Sequence, residues 1–435
     1  MVNTTGLEVV HLCDGRRTIP QIVAAAAQRW KQDSTLVRRD VEASLKSLRR
    51  AGFLNDPLVP SLPAERAGVG TPGGRAWRLH VYLTERCNLR CRHCAVVNGS
   101  RPADKLNGET VRRLIDQAAE SSADGIAFSG GEPLLRDDLL DLLEYAAGRV
   151  KTLLSTNGTL LDGSTAAALA EMGVIVQISL DGATAEVHDA IRGEGTFERA
   201  WRGIEALQRC GLGERLALNV TLMRNNVRQV PGILALAAER GVASVRFNAL
   251  QRMGRAAELW SELAPSPEEY AEAYRFLYQR RSNNDVAVSP GLQGLELEPP
   301  KEGMWCGLGR MLLVDSQGDI YPCAMLTATD FRLGNVSTTL LVDALASEQL
   351  EKLIELCQRR KDEIETCQKC AWRHFCQGSC PASVWLQHGT FFAPDEFCGL
   401  RRELYQDLIF DQVERRQRLP HPRGIYGVPQ AGELG

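Results

Sequence analysis

Six short apolar runs alternate with helix-like stretches through the middle of the chain, and this alternation restricts the fold more than any other feature. The runs are Leu79–Leu83, Gly125–Ser129, Thr152–Ser155, Val174–Ser179, Leu216–Thr221 and Ser244–Asn248. Between them lie Gly108–Ser121, Asp137–Gly148, Gly163–Met172, Thr196–Cys210 and Val230–Arg240. Strands and helices in strict turn predict a parallel sheet wrapped by helices. In such folds ligand-binding residues gather at the carboxyl ends of the strands. The short polar motifs of this chain fall there. A cysteine triad follows the first run, Gly130-Gly131-Glu132-Pro133 the second, Thr156-Asn157-Gly158 the third and Asp181-Gly182 the fourth.

The triad, Cys87, Cys91 and Cys94, has the spacing C-x₃-C-x₂-C. Three thiolates bind three irons of a cubane and leave the fourth without a protein ligand, whereas most iron–sulfur sites close with four cysteines. The spacing therefore predicts a cluster completed by a small molecule, and a redox enzyme rather than an electron carrier. The competing reading is half of a zinc site with His93 as fourth ligand. His93 lies between two of the cysteines, where reaching the same metal is strained, and structural zinc favours paired knuckles.

With 435 residues, 44% of them hydrophobic, the chain can build two or three domains with substantial cores. A net charge of −3 offers no strong field for nucleic acid or an anionic membrane. No apolar run of membrane-spanning length and no signal-peptide core occur, so a soluble, cytoplasmic protein is expected. In that compartment disulfides are rare, and clustered cysteines read as metal ligands or catalytic groups. Of the thirteen cysteines, Cys13, Cys210 and Cys357 stand alone and read as small buried hydrophobes.

Gly130, Gly131 and Glu132 offer close backbone approach and a carboxylate at a strand exit; the plain alternative is a Gly-Gly turn before a helix. Together with the triad, Ser129-Gly-Gly-Glu-Pro133, Ser155-Thr-Asn-Gly158 and Ile178-Ser-Leu-Asp-Gly182 resemble the radical S-adenosylmethionine superfamily over roughly Trp77 to Leu250. The resemblance implies one [4Fe-4S] cluster at Cys87, Cys91 and Cys94, its open iron chelated by S-adenosylmethionine. One-electron reduction would release methionine and a 5′-deoxyadenosyl radical that abstracts a substrate hydrogen. The cofactor carries the hard chemistry, and the protein binds, orients and shields. By the same resemblance Gly130, Gly131 and Glu132 hold the methionine amino group. Ser179 and Asp181 approach the ribose, with Asn157 nearby. Arg192, after His188-Asp189, takes the methionine carboxylate through a forked contact; its alternative is a surface arginine. His93 occupies the place of an aromatic that packs on adenine.

A second array runs Cys306-x₁₁-Gly318-x₄-Cys323, then Cys367-x₂-Cys370-x₅-Cys376-x₃-Cys380-x₁₇-Cys398. It resembles the SPASM domain, the twin-cluster extension of peptide-modifying radical enzymes, although four of these cysteines alone would also suit a zinc ribbon. The resemblance implies two auxiliary iron–sulfur clusters of the [4Fe-4S] type. Cys367, Cys370, Cys376 and Cys398 would hold the outer one, and Cys306, Cys323 and Cys380 the inner. Several relatives carry a further cysteine shortly after the first; Gly307 to Val314 contains none. The inner cluster then keeps an open iron or takes an unusual ligand. Substrate binding at an open iron and simple electron transfer by both clusters stand as alternatives. Ala324 replaces the aspartate that sulfatase maturases place after the cysteine matching Cys323, which argues against formylglycine formation. No residue can be named as the catalytic base.

Gln21 to Trp30 and Val37 to Leu48 carry apolar residues at helical spacing (Val37, Val41, Leu45, Leu48). With Asn3-Thr-Thr-Gly6, Leu12-Cys-Asp-Gly15, Thr18-Ile19, Asp40-Val41 and Leu48 through Leu54 they resemble the helical part of the pyrroloquinoline-quinone peptide chaperone, a family that includes leader-recognition domains. A generic winged-helix bundle is the alternative. That family usually begins with strands whose edge pairs with the leader peptide; this sequence starts at the residues that would follow them.

The expected fold is α/β. A partial (β/α)₆ TIM-like barrel is flanked by a small N-terminal winged-helix-like domain and a C-terminal Cys-rich SPASM domain. The expected boundaries are 1–56 for the partial leader-recognition domain, 57–75 for a linker and 76–257 for the core barrel. A connector at 258–303 leads to the auxiliary-cluster domain at 304–400, with a helix and disordered tail at 401–435. The expected function is oxidative modification of a ribosomal precursor peptide, by thioether or carbon–carbon cross-linking. The alternatives are modification of a small cofactor or tetrapyrrole precursor and, from another class, a zinc-ribbon nucleic-acid-binding regulator. Expected partners are the precursor peptide, an electron donor such as flavodoxin or ferredoxin, and a separate leader-binding protein; neither nucleic acid nor membrane is expected.

Overall fold

The computed structural model describes residues 19–50, 76–96, 103–280, 286–292, 294–295 and 306–418. Expectations for the first eighteen residues, the linker and the tail beyond residue 418 lie outside this set. The chain divides into two compact units, residues 1–66 with 408–435, and residues 67–407.

In the first unit, helices α1 (Ile19–Trp30) and α2 (Ser34–Arg50) pack through Ile22, Val23 and Ala26 against Val37 and Val41. These positions recur at three- and four-residue intervals and so line one face of each helix. Between the helices, Asp33 Oδ1 accepts from the Thr35 N–H at 2.8 Å and helps start α2.

The second unit is built on one ten-stranded sheet, in which the six expected runs lie side by side in chain order with one later strand beyond the sixth and three beyond the first. Strands β1 (Arg78–Thr84), β2 (Gly125–Gly130), β3 (Thr152–Thr156), β4 (Ile175–Ser179), β5 (Leu216–Leu222) and β6 (Ser244–Ala249) are the six expected runs, all parallel. Crossover helices α3 (Gly108–Glu120), α4 (Leu139–Ala147), α5 (Gly163–Met172), α6 (Ala185–Arg192), α7 (Thr196–Arg209) and α8 (Val230–Glu239) connect them. Side chains alternate across each strand. On β1, Leu79, Val81 and Leu83 are buried, while His80 and Tyr82 point to the other, half-exposed face. The same alternation puts Ser129, Ser155, Gln177, Ser179, Asn219 and Asn248 on that face.

The parallel sheet extends beyond six strands on both sides. After short helices α9 (Gly254–Glu258) and α10 (Trp260–Leu263) and the longer α11 (Pro267–Arg280), strand β7 (Ala287–Gly291) pairs parallel with β6. It carries Pro290, and its place at the sheet edge tolerates the missing donor. At the opposite side β8 (Met311–Val314) pairs parallel with β1, and β9 (Asp319–Tyr321) and β10 (Gly334–Asn335) continue antiparallel. In the β8–β9 turn, Asp315 Oδ1 accepts from the N–H groups of Gln317 and Asp319. Gly318 (φ +82°) supplies the left-handed residue that closes the turn.

Among the described residues six helices follow: α12 (Leu341–Leu345), α13 (Glu348–Glu363), α14 (Glu365–Gln368), α15 (Arg373–Cys376), α16 (Pro381–His388) and α17 (Cys398–Arg418), the last of which passes out of this unit after residue 407. Their core contains Leu326, Phe331, Leu350, Leu353, Ile354 and Phe391.

Candidate active site

The loop that carries Cys87, Cys91 and Cys94 leaves the carboxyl end of β1 and is held by backbone contacts to the next strand exit. The Gly131 N–H donates to the Thr84 carbonyl at 2.7 Å and the Glu132 N–H to the Arg86 carbonyl at 2.8 Å. Gly130 has φ +125°, and a Cβ on Gly131 would run into the Arg86 carbonyl. The two glycines are thus what lets the β2 exit lie against the cysteine loop. Replacing Gly131 by alanine is expected to force the two backbones apart, at about 1–3 kcal/mol. A thermal melt and an S-adenosylmethionine titration of Gly131→Ala check it, with both expected to weaken.

Glu132 is fully buried. Its carboxylate accepts from the Leu134 N–H (3.1 Å), Thr156 Oγ1 (2.6 Å) and the Asn157 N–H (2.8 Å), and so ties β2 to β3. A carboxylate offers about four acceptor directions, which leaves room for one more donor. Asn157 Nδ2 reaches Asn88 Oδ1 at 2.9 Å, linking the β3 exit back to the cysteine loop.

Asp181, at the β4 exit, is also fully buried. Its Oδ2 accepts from Arg192 Nε at 2.6 Å and its Oδ1 from the Thr221 N–H at 2.8 Å. Arg192 ends α6 and is turned inward, 8% exposed. Its Nη1 lies 3.8 Å from Cys91 Sγ and its Nη2 3.5 Å from His93 Nε2. Burial opposes the Asp181 carboxylate, but Arg192 and His93 outweigh it and hold the pKa below the usual range. Burial, opposed by Asp181 and reinforced by Arg192, holds His93 down to about 4. His188 is likewise held to about 4, chiefly by burial, and its Nδ1 accepts from the Asp181 N–H at 3.1 Å.

Burial raises the pKa of the Cys87 and Cys91 thiols, while Arg192 and Arg255 pull that of Cys91 back. Metal loading must therefore expel protons here. Arg192 supplies positive charge at the sulfur when it does. A soft three-thiol set, a backbone cradle that excludes side chains and a cation against one sulfur fit an iron–sulfur cluster.

Ser179, at the end of β4, is in register with Asn219 on β5, which is in register with Arg246 on β6. These three stand on the half-exposed face, where Asn248 Oδ1 accepts from Arg246 Nε at 3.0 Å.

Several residues that hold the site gave no motif in the sequence. Arg255, after β6, donates from Nε to the Cys91 carbonyl (2.8 Å) and from its N–H to the Cys94 carbonyl (3.0 Å). Arg136 Nη1 donates to the carbonyls of Leu83 (3.0 Å) and Leu106 (2.7 Å). Asp104 accepts from Thr84 Oγ1 and the Glu85 N–H. The signal available was positional, since Gly254-Arg255 follows the carboxyl end of a strand.

In the cysteine-rich region the thiols fall into two neighbourhoods. Cys367 is pushed up to about 11 by burial and by Cys376, Cys398 and Cys370 around it. Cys323 is pushed up to about 12 by burial and Cys380, and Cys306 rises further through burial, Cys380 and Cys323. Arg401, buried beside Cys398 and Cys376, pairs with Asp395.

The radical SAM superfamily matches residues 81–237. Coenzyme PQQ synthesis protein D matches residues 1–54, and an iron–sulfur cluster-binding domain, SPASM, matches residues 306–371. A mycofactocin maturase of Mycolicibacterium smegmatis is 32% identical over 356 residues, 78% of this chain and 86% of that protein. An AdoMet-dependent heme synthase of Oleidesulfovibrio alaskensis is 29% identical, over 79% of this chain and 96% of that protein. Among solved structures, that of Streptococcus suis SuiB with S-adenosylmethionine has a TM-score of 0.62 at 15% identity and covers 92% of this chain and 93% of that one. The structure of anSMEcpe with bound AdoMet and a peptide has a TM-score of 0.63 at 21% identity, covering 79% and 100%. At these identities the two structures speak for the fold alone. Among the described residues no helix is long and apolar enough to cross a membrane. The chain belongs to the radical SAM superfamily, in the branch that carries a SPASM domain, and is an enzyme that uses S-adenosylmethionine and iron–sulfur clusters.

Proposed function

We propose that the chain is a peptide maturase that binds its radical-generating cluster at Cys87, Cys91 and Cys94. Together with S-adenosylmethionine, that cluster supplies hydrogen abstraction from an unactivated carbon after reductive cleavage of the sulfonium. In this reading Gly130 and Gly131 present carbonyls to the methionine amino group, and Glu132 offers its remaining acceptor. Arg192 keeps Nη hydrogens for the methionine carboxylate while Asp181 fixes its Nε. Ser179 lies toward the ribose with Asn157 nearby; Asp181, read from the sequence as a second ribose contact, is fully buried with its oxygens bonded to Arg192 and Thr221 and acts through Arg192. Cys306, Cys323 and Cys380, and Cys367, Cys370, Cys376 and Cys398, would hold two auxiliary clusters, whose chemistry when bound would be acceptance of the second electron, which suits thioether or carbon–carbon cross-linking. A flavodoxin or ferredoxin supplies the first electron. The leader is recognised by the N-terminal unit or by a separate leader-binding protein.

The observation that carries the reading is the half-exposed sheet face that runs up β1 toward the cysteine loop. It presents His80, Ser129, Ser155, Gln177, Asn219, Arg246 and Asn248, donors and acceptors suited to a peptide backbone, with Tyr82, Ala127, Leu153 and Ala217 among them. A flat macrocycle calls for mostly apolar walls. The maturase likeness and the match at residues 1–54 support the same reading. Modification of a tetrapyrrole is the second reading, favoured by the heme synthase likeness.

The zinc-ribbon regulator loses its footing with the family.

The test is anaerobic incubation with S-adenosylmethionine and dithionite, with a short peptide encoded beside the gene or with a metallated porphyrin. The expected result is 5′-deoxyadenosine in step with loss of two hydrogens from the peptide. Turnover coupled to the porphyrin alone overturns the peptide reading.

A further inference from the structure

We propose that Cys357 is the fourth protein ligand of the inner auxiliary cluster and closes a four-cysteine set with Cys306, Cys323 and Cys380. The assignment rests on the iron–sulfur reading above and adds to it a ligand that no spacing motif contains.

Cys357 lies on α13, whose buried stripe is Leu350, Leu353, Ile354, Cys357 and Arg360. The stripe recurs every three or four residues, so Arg360 sits one turn beyond Cys357 on the same face. Arg360 Nη1 donates to the Ser379 carbonyl at 2.9 Å and Nε to the Phe391 carbonyl at 2.7 Å. Ser379 precedes Cys380, so these bonds hold the Cys357 face of the helix against the Cys380 loop. Cys357 is 3% exposed and belongs to the apolar cluster against which Cys306, Cys323 and Cys380 pack. Its thiol is pushed up to about 12, first by burial, with Arg360 opposing and Cys380 and Cys323 adding to the rise. The four sulfurs therefore share one neighbourhood.

A buried lone cysteine is ordinarily a small hydrophobe. Arg360 speaks against that here. The side chain is 1% exposed, and its Nη2 is buried without a hydrogen-bond partner. An unpaired guanidinium nitrogen in an apolar core is costly, because its desolvation goes uncompensated. Cys357, Cys380, Asp395 and Cys306 lie within its electrostatic reach, and Asp395 is already paired with Arg401. A cluster held by four thiolates carries net negative charge, and its sulfurs accept N–H donors. Such a cluster gives Nη2 a partner and the guanidinium a counter-charge. Closure at Cys357 also means that the inner cluster has no iron free for substrate and acts in electron transfer.

The experiment uses the full chain with Cys87, Cys91 and Cys94 replaced by alanine, so that only auxiliary irons report. Reconstituted protein is reduced and examined by electron paramagnetic resonance, with and without ¹³C-cyanide, which binds irons that lack a protein ligand. The parent is expected to show no ¹³C hyperfine coupling. Adding Cys357→Ala is expected to produce that coupling, or to remove about four irons per chain. Cys357→Ser is expected to keep the iron and shift the g-values, and Cys210→Ala to change nothing. Cyanide coupling already in the parent overturns the assignment without need of a variant at position 357. So does a Cys357→Ala protein that matches the parent in iron, g-values and cyanide silence. Wild-type protein that takes up no iron removes the family-level reading and this assignment together, whereas iron-loaded protein that fails the cyanide test removes only the assignment.

Discussion

Cys91→Ala is expected to reduce 5′-deoxyadenosine formation to background and to lower iron by about four per chain, while leaving the fold intact. Among the three site cysteines, Cys91 is bound most tightly into its surroundings. Its side chain is 8% exposed, its sulfur faces Arg192 Nη1, and its carbonyl accepts from Arg255 Nε. The backbone bonds survive the substitution, so the loop keeps its path. Loss of one small buried side chain costs on the order of 1 kcal/mol, well below the stability of most domains. On the proposed reading, the two thiolates that remain would not hold a cubane that takes three protein ligands. The measurement is iron content and deoxyadenosine yield against Cys210→Ala, a substitution outside both cysteine arrays. Equal yields in the two variants would place the radical chemistry elsewhere in the chain.

The sequence shows its barrel strands where each apolar run is long and bounded by turn residues, as from β1 to β6. Strand β7 escaped that reading because Ala287-Val-Ser-Pro-Gly291 mixes small residues with Pro290, a composition an edge strand tolerates and a central one does not. Strand β8 was hidden by its setting, a short apolar run inside a stretch dominated by cysteines. The site divides the same way. Glu132, Asn157, Asp181 and Arg192 stand in short motifs at strand exits, and the structure brings them to one end of the sheet. Arg255, Arg136 and Asp104 hold the cysteine loop through backbone carbonyls and N–H groups distant in sequence. Such bonds depend on the path of the partner backbone and leave no side-chain pattern to read. Helical periodicity alone could mark Cys357 as inward-facing; the Arg360 bond to the Ser379 carbonyl is what sets that helix face against the Cys380 loop.

Arg192→Leu is expected to cost about 3–5 kcal/mol at neutral pH, because it leaves a fully buried carboxylate without its cation. The sign of its pH dependence separates this cause from lost packing. In the native protein Asp181 is held below the usual carboxylate pKa, Arg192 overcoming the opposing effect of burial. The pair therefore contributes stability above the unfolded-state value and loses it as pH falls through the lower folded value. With Arg192 gone, burial prevails and the folded value moves above the unfolded one. Asp181 then takes up a proton on mild acidification, and the variant loses stability as pH rises. The gap between wild type and Arg192→Leu is thus widest near neutrality and narrows toward acid. Anaerobic thermal melts at about pH 7.5 and about pH 5.5 read the difference directly. Adding Asp181→Asn to Arg192→Leu removes the stranded charge and is expected to recover part of the loss, a coupling that pure packing damage cannot produce. A constant gap across that range, with no recovery in the double variant, would mean that Arg192 stabilises by filling space and that Asp181 finds another cation when it is gone.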